Sequence, residues 1–169
     1  GRAHFDRIVE KVIPDPASAA NSLLSGDVNW QPDAPFAEVR KLKGSATYVR
    51  TYPDMGYYDV RFNDRPDHLF GDRLVRQAFA YAIDKEALVK DVTGGAGTPM
   101  WGDILPTSWA YDRSAQVRYP QDLGKSRALL QQAGWMPGTD GILTRAGKRF
   151  SADFYVRKDS DIRNAAAVE

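Results

Sequence analysis

The sequence predicts an α/β fold, a mixed sheet with flanking helices, and three stretches make that prediction. Residues 58–63 alternate, with Tyr58, Val60 and Phe62 on one face and Asp59, Arg61 and Asn63 on the other, the two-residue period of a half-buried strand. After a polar turn, Leu74, Val75, Ala78, Phe79, Ala82 and Ile83 recur at helical spacing behind Asp72, a capping residue. Near the start, strand, helix and strand signals succeed one another within residues 5–30, the length of a crossover unit.

Taken in order, residues 5–13 are rich in β-branched side chains and read as a strand. Asp15 caps a helix over 17–25, Pro16 suits its first position, and Gly26 closes it. Residues 27–30 read as a second strand. Asp33 is expected to cap a short helix over 35–42, where Phe36, Val39 and Leu42 stand three apart and Gly44 lies beyond. Residues 46–52 alternate as a strand, and a turn at 53–56 leads into the central one. Asp84 ends the central helix and caps the next, over 85–92, which stops at Gly94 and Gly95. A long loop carrying Trp101, Trp109 and Tyr111 follows; loops above about 12–15 residues are usually functional or disordered, and the aromatics argue for packing against something. Residues 122–133 read as a helix with Leu123, Ala128, Leu129 and Leu130 inward, ended by Gly134. A hairpin pairs 142–144 with 149–156 through a turn at 145–148, and a last helix opens at Asp161. The expected organisation is a βαβ portion over 1–56 and an α/β subdomain over 57–169.

Twenty-three basic and 22 acidic side chains give a net charge of +1 and are interspersed, which argues against a nucleic-acid-binding face. The absence of cysteine excludes disulfides and thiolate chemistry. No run of about 18 apolar residues exists to span a bilayer. The first residues have neither an initiator Met nor a signal-peptide pattern, and the last helix has no terminator, so the chain reads as an internal piece of a longer one.

Little in the chain points to catalysis. His4 and His68 lack metal-ligand spacing, and no serine sits in a nucleophile elbow, so neither a metal nor a cofactor is expected. Asp54 and Asp59 flank a turn and offer the one carboxylate pair, which keeps a hydrolase as an alternative. Gly94-Gly95-Ala96-Gly97-Thr98 follows a helix and has no lysine, so it reads as a helix stop and not a phosphate loop. Arg76, among apolar helix positions, is expected to pair with Asp72 or Asp84. Trp30, Tyr57, Trp101, Trp109 and Tyr111 are aromatics beside turns that could line a pocket, and residues 101–111 could instead serve a protein-interaction module.

Several motifs in order resemble one family. Asn21-Ser22-Leu23-Leu24-Ser25-Gly26-Asp27-Val28-Asn29, Phe62-Asn63, Val75-Arg76-Gln77-Ala78, Ala82-Ile83-Asp84-Lys85, Gly95-Ala96-Gly97-Thr98-Pro99 and Ala133-Gly134-Trp135 are similar to segments of the extracytoplasmic solute-binding proteins of ABC importers, family 5, the dipeptide-, oligopeptide- and nickel-binding type. The resemblance implies part of one lobe of a two-lobe, type II-like periplasmic-binding-protein fold, with no chemistry of its own. It implies a small-molecule or peptide ligand, a membrane permease as partner, and a second lobe contributed by the same polypeptide. It also implies a periplasmic or cell-surface location, with a lipid anchor as one means of attachment. Ligand contacts would fall on Trp30, Gln31 and Pro32, on Asp54, and on Tyr57, Tyr58 and Asp59. Asp54 and Asp59 stand where peptide-binding members tend to have tyrosines, which opens the alternative of a cationic or hydroxylated ligand.

Overall fold

The structure, a computed structural model, describes residues 4–53, 55–157 and 161–168, and most of its helices begin at the expected carboxylates. Two compact units result, residues 1–52 and 53–169. In the first, the Asp15 carboxylate accepts from the Ser18 backbone N–H at 2.8 Å and from its hydroxyl at 2.6 Å, while Pro16 takes the first position of helix α1 (Pro16–Ser25). Gly26 ends α1 at φ 83, a left-handed conformation that a side chain would resist. Helix α2 (Phe36–Lys43) lies against α1 through buried Ala20 and Leu42, and Lys41 Nζ donates to the Asn21 side-chain oxygen at 2.7 Å. Asp33 does not cap α2. It adopts φ 52, and Pro35 occupies the cap position without a side-chain bond, because the helix starts too late in the chain for Asp33 to reach its free N–H groups.

In the second unit, a 3-10 turn (Leu69–Gly71) leads into α3 (Arg73–Ala82), whose start is fixed by Asp72 accepting from the Leu74 N–H at 2.9 Å. Asp84 does the same for α4 (Lys85–Thr93), accepting from the Ala87 N–H at 2.9 Å, and Gly94 closes α4 at φ 60. Helix α5 (Leu123–Gln132) is capped by Asp122 and packs on α3, with Ser126 buried on α5 and Val75 and Ala78 buried on α3. The Asp122 N–H also donates to the Tyr81 carbonyl at 2.9 Å, tying the start of α5 to the end of α3. Leu123 points outward. The inward stripe is Ser126, Leu129, Leu130 and Ala133, so Leu123 and Ala128, both expected to face inward, fall off it and are exposed. Helix α6 (Asp161–Val168) packs on α4.

Gly134, at φ 83, turns the chain out of α5 and buries Trp135 against Phe150, ring centroids 4.9 Å apart. A small antiparallel sheet follows, in the order β1 (Met136–Pro137), β2 (Leu143–Arg145), β3 (Lys148–Arg149). Its tight turn places Ala146 at φ 49 and Gly147 at φ 76, the two positive angles of a type I′ hairpin. Arg145 pins this hairpin to the helices. Its Nη1 donates to Asp72 Oδ2 at 3.3 Å and to the Ala133 carbonyl at 3.0 Å, and the guanidinium lies 4.8 Å from the Trp135 ring centre.

Segments 5–13, 27–30, 46–52 and 58–63 do not enter a ladder among the described residues. A strand is completed only by a neighbour that takes its N–H and C=O groups, and local alternation cannot provide one. Arg76 also differs from expectation. Its Nη1 donates to the carbonyls of Phe70 at 2.6 Å and Gly71 at 2.9 Å, since the 3-10 turn leaves these oxygens beside the helix while the Asp72 carboxylate serves Leu74 and Arg145.

Candidate ligand-binding site

The expected contact residues belong to both units. In the first, the turn after α1 is held by the Val28 N–H donating to the Ser22 carbonyl at 3.2 Å and by Lys11 Nζ donating to the Asp27 carbonyl at 3.0 Å. Trp30 leaves this turn 77% exposed, and Gln31 beside it is half-buried. Both line a cavity of about 320 Å³ whose walls include Lys11, Pro14, Pro16 and Pro32. The Gln31 side-chain oxygen is buried with no hydrogen-bond partner among the described residues, a loss of about 1–3 kcal/mol that a donor would recover.

In the second unit, Phe62 anchors residues 57–63. Its ring stacks on Phe70 at 4.5 Å and meets the edge of Phe79 at 5.2 Å, with Phe70 and Phe79 themselves 5.7 Å apart. Tyr58 and Val60, assigned with Phe62 to the core face, stay exposed, and the Arg163 guanidinium lies 5.5 Å from the Tyr58 ring centre. The reason is that only Phe62 reaches the aromatic pair supplied by the 3-10 turn and α3. Tyr57, Asp59 and Arg61 alternate with these residues, and Arg61 Nε donates to Asp59 Oδ2 at 2.8 Å. Asp54 lies outside the described residues.

Asp59 therefore has a cation beside it, while the carboxylate pair that a hydrolase would use includes Asp54 and so lies partly outside the described residues. Among the described residues no cluster of three or more His, Asp or Glu could hold a metal ion. The sequence reading missed Arg61 as a partner, although its i, i+2 spacing from Asp59 in an alternating segment is the signal that finds it. It also missed Lys11, which the chain brings to the Trp30 cavity from the extended segment before α1.

Of the loop aromatics, Trp101 is half-buried, with Lys85 Nζ 4.6 Å and the Arg118 guanidinium 6.0 Å from its ring centre. Lys85 also donates to the Met100 carbonyl at 2.8 Å, and burial lowers its pKa below the ordinary lysine value. Tyr111 is half-buried and Trp109 is 98% exposed.

Residues 1–168 match the sequence pattern described as "Bacterial extracellular solute-binding proteins, family 5 Middle". The oligopeptide-binding protein AppA of Bacillus subtilis is 31% identical over 99% of this chain and 31% of its own length. Its solved structure, in complex with a nonapeptide, superposes with a TM-score of 0.58 at 27% identity, covering 82% of this chain and 28% of that one. The structure of NikZ from Campylobacter jejuni in complex with Ni(L-His) gives a TM-score of 0.66 at 25% identity, over 94% of this chain and 32% of that one. The chain thus spans about a third of the length of these relatives, and its fold is part of that of a periplasmic binding protein.

Proposed function

The chain belongs to the bacterial extracellular solute-binding proteins of family 5, and from that premise we propose that it forms part of one lobe of the binding component of an ABC importer. That component captures a solute of peptide class in the cleft between two lobes and delivers it to a membrane permease. Both portions, 1–56 and 57–169, contribute to the same lobe in this proposal. Trp30 and Gln31 supply an aromatic wall and a free acceptor, while Asp54, Tyr57 and Asp59 supply polar contacts from the cleft edge. The binding component works outside the cytoplasm, in the periplasm or on the cell surface, with lipid anchoring as one means of retention.

The observation that carries this reading is the division of labour along residues 57–63. Phe62 is fixed in an aromatic cluster, which leaves Tyr57 and Asp59 held in place yet uncommitted to the core. Relatives named for binding oligopeptides support the peptide class. Isothermal titration of the natural full-length protein with short peptides, sugars and nickel tests it. Saturable binding of a peptide is expected, and Trp30→Ala should weaken it about tenfold, as loss of a stacked aromatic contact does. No saturable binding in any of the three classes would overturn the proposal.

A further inference from the structure

Arg61 has no role in the reading so far, yet it is the nearest charged neighbour of a proposed contact residue. Its Nε lies 2.8 Å from Asp59 Oδ2. That contact uses one of the five guanidinium N–H donors and one of the two carboxylate oxygens, which leaves the other donors and the second oxygen outside it. Hydrogen bonding to Asp59, and then the charge of Asp59, hold Arg61 more firmly protonated, with smaller contributions from Tyr57 and Asp103. Its side chain is 85% exposed, so the pair is built at the surface and not buried in the core.

We propose that Arg61 is a specificity-determining residue of this site. By holding Asp59 in an internal ion pair, it replaces a cation-seeking carboxylate with an adjacent donor and acceptor edge. A lone ammonium reaching the second oxygen gains less than it would from an unpaired carboxylate, because the Arg61 charge offsets that of Asp59. A peptide backbone, with C=O and N–H close together, meets both groups without breaking the pair. The edge therefore favours neutral peptides over peptides with a basic side chain at this position, whereas Asp59 alone would favour the reverse. This assignment rests on the peptide-binding reading above and specifies which peptides that site selects.

The test is titration of the natural full-length protein with the tripeptides Ala-Ala-Ala and Ala-Lys-Ala, in the wild type, Arg61→Ala and the Arg61→Ala, Asp59→Asn double variant. The wild type should prefer Ala-Ala-Ala. Arg61→Ala should move the ratio of dissociation constants about fivefold toward Ala-Lys-Ala, the size expected of an exposed ion pair, and added salt should shrink the shift. The double variant should lose it, showing that Arg61 acts through Asp59. Binding by the wild type with an unchanged ratio in Arg61→Ala, or with the same shift in the double variant, overturns the assignment alone. Absence of any tripeptide binding by the wild type overturns the peptide reading and this assignment with it.

Discussion

Asp84 holds the first turn of α4 through one hydrogen bond, to the Ala87 N–H, and Asp84→Ala should cost about 1 kcal/mol in chemical denaturation, with Asp84→Asn close to wild type. Asp15 makes the corresponding bond in α1, and the Ser18 hydroxyl, followed by the Ser18 backbone N–H, lowers its pKa below the ordinary carboxylate value. The unfolded chain then takes up a proton first. The cap's contribution is complete above the ordinary carboxylate range and is lost as pH falls through the lowered native value. An acid titration followed at the Ser18 amide resonance should show that step, and Asp15→Asn should remove it. Caps were legible in the sequence because a carboxylate and the N–H it serves lie within three residues of each other. The partners of Arg76 were not, since they are carbonyls freed by a 3-10 turn whose path is set by packing. The Asp59–Arg61 contact is as local as a cap, but it becomes visible only once both residues are assigned to one face.

Gly71 links the 3-10 turn to α3, and a Cβ there would run into the Arg65 carbonyl oxygen, a backbone atom that cannot swing aside. Gly71→Ala should therefore destabilise the second unit by about 1–3 kcal/mol, the cost of overpacking, with thermal melting as the measurement. Arg145 is the corresponding join for the hairpin. Arg145→Ala removes the bonds to Asp72 and Ala133 and uncovers one face of Trp135, so a loss of about 1 kcal/mol and a red-shifted indole emission are expected. At this scale the α-helices were readable in place and extent, because period and stops are local, whereas the cap expected at Asp33 and the 3-10 turn at Leu69–Gly71 were not. The hairpin was readable in its first strand and turn, while its second strand ends at Arg149, earlier than the alternation suggested. The remaining predicted strands failed for one physical reason: alternation reports which side chains share a face, and says nothing about whether a neighbouring strand is within reach.

For the molecule as a whole, family and fold were legible because many weak motifs occur in a fixed order along nearly the entire chain, and the match over residues 1–168 bears this out. Among the described residues no helix is long and apolar enough to cross a membrane. The expected contact positions rest on resemblance alone and stand as a proposal, and the structure adds the surroundings of three residues there: an orphaned amide oxygen on Gln31, an ion pair on Asp59 and an aromatic anchor at Phe62. Tyr52, Met55, Tyr57, Tyr58 and Val60 are large and exposed, so this chain expressed alone should associate with itself at high concentration, as concentration-dependent light scattering would show. The anchor at Phe62 has a consequence for how such a protein changes over generations. Replacements at positions 57, 59 and 61 leave the contacts among the rings of Phe62, Phe70 and Phe79 in place, so under the proposed contact role of Tyr57 and Asp59 the preference for one solute over another can drift with little penalty in folding. A replacement at Phe62 enjoys no such freedom, and a lineage exploring new nutrients would be expected to rewrite the outward residues while keeping that one ring.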